Sequence, residues 1–146
     1  MTELENIPAL IVQLVTDYET DDVVPVQFFS GWNITYDIGD KKAEIEVALT
    51  SDGRAVTVCP PAFADQEVST QGVSETEIEI VVLVAVNSGV SSANILQAVR
   101  YVFSAVLEYG EDEEAFRCAD MPFRLLLADE GLVTYALTFR KQVALS

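Results

Sequence analysis

Carboxylates are the most abundant chemistry-bearing side chains in this chain. Its 146 residues include 24 Asp and Glu, eight Lys and Arg and no His, for a formal net charge of −16. A paired-acid hydrolase needs one buried carboxyl group with a raised pKa and a second that stays ionised. Here the acids cluster in turns or alternate along strands, as Glu44 and Glu46 do, and Glu77 and Glu79. This pattern favours solvated strand faces over acid–base catalysis.

The densest acidic run comprises Glu111, Asp112, Glu113 and Glu114. A calcium loop needs oxygen ligands at alternate positions, a central Gly and a later Glu. The run has the density of such a loop but not its spacing, so it predicts a charged surface loop. The absence of His excludes a conventional Ser-His-Asp triad and any His-ligated metal site.

The two cysteines, Cys59 and Cys118, are distant in sequence and form no Cys-x-x-Cys pair. This spacing argues against zinc and thioredoxin-type redox sites. The glycines are scattered singly, so no phosphate-binding loop is predicted. We therefore expect a protein that is not an enzyme and needs neither a cofactor nor a metal.

The charge balance also limits the partners of the chain. Too few bases are present to neutralise phosphates, so specific binding of nucleic acid is not expected. No apolar run approaches the roughly 18 residues that a membrane span needs. The first residues are acidic where a signal peptide would be basic, which favours a cytoplasmic context with two reduced thiols.

Hydrophobic periodicity predicts two amphipathic helices. The first covers residues 7–18, with Asn6 as its N-cap. The second covers residues 93–108, and Gly110 just beyond it is the predicted stop signal. Each presents one apolar stripe, so we expect both to pack on the same sheet.

Alternating apolar residues predict the strands of that sheet. A long strand is expected over 23–38, with a bulge or turn at Gly31. Asp52-Gly53 is a hairpin signal. The remaining predicted strands are 45–49, 55–58, 78–86, 123–127 and 133–139. Residues 59–75 have no period and predict a long flexible loop.

These elements occur in the order α-β(β)ββ-loop-β-α-ββ. The order predicts an α+β fold, a mostly antiparallel β-sheet with two α-helices packed on one face. Residues 1–146 show no internal repeat and no low-complexity segment, so we expect a single domain.

The element order resembles that of the tail terminator and tail-completion (gpU-like) proteins of long-tailed bacteriophages. The resemblance covers nearly the whole chain: an amphipathic helix, strands, the loop after Cys59-Pro60-Pro61, an apolar strand, the second helix and a closing hairpin. The hairpin, residues 125–139 with its turn at Gly131, is the most similar part. The likeness is one of pattern and carries no invariant motif.

The resemblance implies a virion structural protein, assembled in the host cytoplasm, that forms a ring, usually a hexamer, in the neck. Such a ring caps the tail tube, ends its polymerisation and joins the tail to the head. Its partners would be other copies of itself, the tail tube protein and a head–tail connector or neck protein. DNA would pass through the ring without specific binding.

Three groups of residues are candidates for these contacts. Arg140 and Lys141, near the C-terminal edge of the sheet, are expected to form ion pairs with an acidic neighbour. Glu111, Asp112, Glu113 and Glu114 are expected to face the lumen and repel phosphate. The loop is expected to order on a neighbour, and its candidate contact residues are Pro60, Pro61, Phe63, Asp65, Glu67 and Val68.

Two other functions remain open on the sequence. A head–tail connector or adaptor of the same neck would have similar features. An acidic inhibitor that imitates DNA would also carry a large negative charge, but its carboxylates must be spaced along one face like phosphates.

Overall fold

The computed structural model describes residues 3–36, 52–63, 75–111, 115–129 and 131–144. The predicted strand 45–49 lies outside these residues. In chain order the elements are α1 Glu3–Thr16, β1 Asn33–Tyr36, β2 Arg54–Val58, β3 Ala62–Phe63, β4 Glu75–Asn87, α2 Ile95–Leu107, β5 Arg117–Asp129 and β6 Leu132–Ala144.

The described strands form one sheet in the order β1-β2-β4-β6-β5, and the short β3 pairs with β4 beyond the end of β2. β1 and β2 are parallel, whereas every other described pair is antiparallel. The prediction of an α+β fold with a mostly antiparallel sheet is confirmed.

β4 is central because its sequence is apolar on both faces over most of its length. One face carries Ile78, Ile80, Val82 and Val84, all fully buried beneath the helices. In β6 the alternate residues Leu137 and Phe139 complete this face, opposite Val82 and Ile80 in the register. Because side chains of a strand alternate between the two faces of a sheet, the apolar residues at every second position of β4 and β6 form the sheet side of the core.

Both helices lie on this one face, as predicted, and contact each other as well as β6. α1 buries Ile7, Ile11 and Val15, which are four residues apart and so form one stripe. α2 begins at the N-cap Asn94, whose side-chain oxygen accepts a hydrogen bond from the Gln97 backbone N–H at 3.1 Å.

The first helix begins at Glu3, so the prediction of an N-cap at Asn6 is wrong. Asn6 is exposed in the second turn, and Pro8 lies inside the helix. A proline there removes one backbone hydrogen bond near the helix start, where few such bonds exist.

The long strand predicted over 23–38 is also wrong, since among its described residues, 23–36, only Asn33–Tyr36 forms a strand of the sheet. Residues 17–32 form turns because their apolar residues divide between two environments. Phe29 and Trp32, three residues apart, are buried, whereas Val24 and Val26 are exposed. A period of two in a short segment does not reveal this division.

Part of the loop predicted at 59–75 is strand. The Cys59 N–H donates to the Val81 carbonyl at 2.8 Å, and Ala62 and Phe63 pair with Glu79 and Ile78. The chain therefore continues alongside β4 after β2 ends, which a search for alternating side chains does not detect over two residues. Residues 64–74 lie outside the described part of the chain.

Candidate interaction surface

The most exposed apolar surface lies on β5. This strand is at one end of the sheet order, with β6 as its only described neighbour, and it is longer than the predicted 123–127. Register shifts between Cys118 and Phe123 and between Leu125 and Leu127 interrupt the alternation that would have revealed it. Five large apolar side chains are 43% to 76% exposed: Met121, Phe123, Leu125, Leu126 and Leu127. We call these five residues the β5 band.

An apolar groove of about 760 Å³ lies between α2 and β5. Its helix wall includes Leu96, Phe103 and Leu107, and its strand wall includes Pro122 and Phe123. Arg100, Ser104, Glu108 and Cys118 also line it. A volume of this size is typical of a ligand or peptide site.

Aromatic contacts fix both walls of the groove. Phe103 packs edge-on against Phe139 of β6, with ring centroids 5.4 Å apart. Phe123 stacks on Tyr135 at 5.0 Å with an interplanar angle of 15°. Since both partners belong to β6, one strand sets the positions of helix wall and strand wall together.

A second exposed apolar feature is the turn at residues 20–26, which we call the valine loop. The Thr20 N–H donates to the Val26 carbonyl at 2.8 Å, and the Val26 N–H donates to Thr20 Oγ1 at 3.0 Å. These bonds close the loop at its base. Val23 at its tip is fully exposed and Val24 is 73% exposed.

An aromatic cluster attaches the valine loop to α2. Phe28 contacts Tyr101 edge-on, with ring centroids 4.8 Å apart, and Tyr18 lies 5.3 Å from the same ring. Phe29 and Trp32 complete the cluster at 5.3 Å from each other. The tip of the loop thus projects from a rigid base.

A cluster of charges occupies the sheet face opposite the helices. Arg140 donates to Glu79 Oε1 through Nη2 at 2.7 Å and through Nε at 3.0 Å. Its Nη1 lies 3.5 Å from Glu77 Oε1, and Arg117 also pairs with Glu77. The hydrogen bond that Arg140 donates to Glu79 raises the pKa of the guanidinium above its ordinary value.

Beside these ion pairs lies a smaller cavity of about 310 Å³. Asp120, Met121 and Arg124 of β5 line it, together with Glu79 and Arg140. Its charged groups already face one another, so they neutralise each other within the chain.

The two basic residues predicted to contact a neighbour do not lie on an edge strand, because β6 is between β4 and β5. Arg140 is engaged with Glu79 in the same chain. Lys141 is only 3% exposed, with its Nζ donating to the Gln142 carbonyl at 3.1 Å. The expectation that this pair lies at a sheet edge is therefore wrong.

The other predicted contact residues are placed only in part. Pro60 is exposed, Pro61 is half-buried, and the backbone of Phe63 belongs to β3. Glu111 is exposed after α2. Six candidates lie outside the described residues: Asp65, Glu67, Val68, Asp112, Glu113 and Glu114.

The two cysteines lie in different parts of the sheet. Cys59 directly follows β2, and Cys118 is exposed within β5. Among the described residues, no three His, Cys, Asp or Glu side chains are grouped so that they would hold a metal ion. In the same part of the chain, no helix is long and apolar enough to cross a membrane.

Sequence reasoning missed both the groove and the valine loop. The sequence did contain a signal for the groove. Residues 125–128 are apolar at every position. Since a strand at a sheet edge does not bury both faces, some of these side chains had to be exposed. For the second, Pro25, three residues after the Asp21-Asp22 pair, was a signal against a strand.

Comparison with known proteins adds no family to this description. No protein-family model matches the chain, and no curated protein is significantly similar to it in sequence.

Proposed function

We propose that this chain is a structural protein of a long-tailed bacteriophage, a tail terminator whose copies form a ring at the end of the tail tube. The exposure of the β5 band is the observation that carries the proposal. Phe123 lines the groove beside α2, whereas Met121 lines the cavity on the opposite face, so the band exposes apolar side chains on both faces of a strand at the end of the sheet. Exposed apolar surface of this kind commonly marks protein–protein contacts.

The energetic argument is one of burial. Removing apolar surface from water contributes roughly 25 cal/mol per Å², so covering five large side chains favours association strongly. The band also borders the edge of β5 that pairs with no other described strand, and backbone N–H and C=O groups at such an edge offer further hydrogen bonds to a neighbour. A protein partner satisfies both features, whereas a small ligand covers only part of the band.

The charge of the chain supports a ring that encloses DNA. A net charge of −16 repels phosphate, so DNA moves past such a surface without being held. Exposed carboxylates such as Glu111, which follows α2, are candidates for the lumen. The order of the described elements, from α1 to the closing β5–β6 hairpin, further supports the resemblance to tail terminators.

An inhibitor that imitates DNA is less well supported. Its carboxylates must follow one another along a single face, as phosphates do. The exposed acids of the described residues are instead on separate elements: the segment after α1 with Asp17 and Glu19, the valine loop, the turn at Asp52, the end of α2 and β5 at Asp120.

The test combines mass measurement with a polymerisation assay. The purified chain, alone and with its tail tube protein, is analysed by native mass spectrometry and negative-stain imaging. We expect rings at tube ends and shorter tubes when the chain is added during polymerisation. A chain that stays monomeric and leaves tube length unchanged contradicts the proposal. Binding to a head–tail connector but not to tube ends indicates a neck adaptor instead.

A pair of variants links the result to the β5 band. L125E with L127E places two charges in the band, and we expect loss of rings and of tube capping. N6E with S92E adds the same charge at two exposed positions outside the groove and the β5–β6 hairpin and should leave both intact. Equal loss in both variants would mean that added charge, not the band, is responsible.

A further inference from the structure

We infer that the valine loop of one copy docks into the groove between α2 and β5 of the next copy. This inference rests on the proposed ring function and assigns the surfaces that hold the ring together. It starts from two apolar features that are exposed in a single copy and do not contact each other.

The first feature is a preformed apolar tip. Val23 is fully exposed, Val24 and Val26 are more than half exposed, and Pro25 between them restricts the backbone. Hydrogen bonds between Thr20 and Val26 hold the loop closed. A tip of this kind loses little conformational entropy when it binds, which strengthens an otherwise small contact.

The second feature is a groove that fits such a tip. It has a volume of about 760 Å³, and its walls include Leu96, Phe103 and Phe123. The space is large enough for several valine-sized side chains. Its apolar walls are in contact with water in a single copy, which is unfavourable in free energy, so covering them favours binding.

The groove carries two charged side chains, Arg100 and Glu108, and the valine loop offers carboxylates that Arg100 can pair with. Asp21 and Asp22, both exposed, directly precede Val23 in the loop. Arg100 is exposed, lines the groove and forms no ion pair with another described residue, its described contact being with the Tyr101 ring at 5.4 Å. In a chain with three acids for every base, a second copy can supply carboxylates to Arg100, which pairs with none among the described residues of its own copy.

The two surfaces lie on different sides of α2. The loop is attached at Tyr101, whereas Phe103 faces the groove, and two helical positions are separated by about 200° around the axis. No residue of the valine loop lines the groove of its own copy. The contact is head-to-tail, and repetition of a head-to-tail contact closes a ring when the rotation permits.

The experiment uses Cys118, which is exposed in the groove, as an internal probe. V23C is introduced in a C59A background, and the protein is oxidised with diamide. If the tip enters the groove, each copy links to two others, and we expect a ladder of multimers on a non-reducing gel. A symmetric contact between identical surfaces yields dimers and no higher species, which overturns the inference.

Two controls make the ladder specific. V90C in the same background puts an exposed thiol in the turn after β4 and should give at least tenfold less multimer. C118S combined with V23C and C59A removes the groove thiol and should abolish the ladder. A V90C ladder as strong as the V23C ladder indicates random collision and contradicts the docking.

A charge exchange tests the polar part of the contact independently. R100E should reduce ring formation by the otherwise wild-type chain, and D22R combined with R100E should restore it. Rings that assemble and cap tubes normally in R100E, with no V23C ladder, refute the docking while the proposed function stands. Monomers that never bind tubes, with or without these changes, refute the proposed function itself.

Discussion

Arg140 and Glu79 face each other across the β4–β6 pair, with Arg140 Nη2 2.7 Å from Glu79 Oε1. Arg140 lies directly opposite Glu79 in the register, so the strands themselves bring the two side chains together. Nε of the same guanidinium bonds the same carboxylate oxygen. Two hydrogen bonds between these side chains therefore connect the central strands β4 and β6.

Replacing Glu79 with Gln should lower the unfolding free energy modestly, because Arg140 then loses its main hydrogen-bond partner. A double-mutant cycle of E79Q with R140M, followed by urea denaturation, should give a favourable coupling energy between the two side chains. The coupling should shrink between about 0.05 M and about 0.5 M NaCl, since the pair is partly exposed. D52N, at an exposed turn, serves as the control and should show no such coupling.

The effect of pH on this pair follows from the raised pKa of Arg140. A base whose pKa is raised on folding contributes stability that is fully present below its unfolded pKa and is lost only above it. The contribution of Arg140 should therefore be the same at about pH 7 and at about pH 9. A coupling energy that falls between these two values contradicts the assignment.

The N-cap of α2 supports a second prediction. Asn94 Oδ1 accepts the Gln97 backbone N–H at 3.1 Å, satisfying a donor that has no partner within the helix. N94A should destabilise the fold by about 1 kcal/mol, which is typical of a lost cap. N94D keeps an acceptor at the helix N-terminus and should stay close to wild type. Equal losses in both variants would show that the cap hydrogen bond is not the cause.

Long elements with a sustained period could be predicted from the sequence. The second helix was expected over 93–108 and occupies Ile95–Leu107, because a broad apolar stripe over four turns has no competing interpretation. β4 and β6 were predicted for the same reason. Their alternation persists along the strands, and β4 pairs with β6 throughout.

The candidate interaction surface could not be predicted in the same way. The groove exists only because α2 and β5, which are separate in sequence, both pack on β6. The valine loop was taken for a strand, since Val24, Val26 and Phe28 alternate. Whether an alternating residue faces a core or water depends on the rest of the fold, which local pattern does not contain.

Gly53 supports a third prediction because its backbone and its surroundings both exclude a side chain. Its φ is +75°, and a Cβ atom would lie 2.9 Å from the Ser91 backbone nitrogen. G53A should therefore cost at least about 1–2 kcal/mol of unfolding free energy, the strain of a left-handed conformation, and more from the contact.

Two other glycines calibrate this measurement. Gly131 has a φ of +86°, but its Cβ would meet the Ser88 hydroxyl, a side chain that can rotate away, so G131A should cost less than G53A. Gly89 lies in the turn after β4, close to Ser88 and Ser91, and its φ is not left-handed. G89A should therefore change stability by less than about 0.5 kcal/mol. Urea denaturation of the three variants checks the order, and a G89A loss as large as that of G53A contradicts it.

The aromatic cluster beneath the valine loop supports the last prediction. Phe29 is 2% exposed and contacts Trp32 edge-on, so F29A should lower the unfolding free energy by about 3–5 kcal/mol. Trp32 is the single tryptophan, and its fluorescence emission should shift to longer wavelength in folded F29A as water enters the cluster. V90A, at an exposed turn, should leave both the stability and the emission unchanged.

The same cluster connects stability to assembly, because it holds the loop tip in place for the next copy. Folded F29A should form rings less readily than wild type at equal concentration, although no groove residue is changed. Native mass spectrometry at a temperature where F29A is still folded separates this effect from unfolding. Rings of undiminished stability in a folded F29A with red-shifted emission would show that the position of the loop does not limit assembly.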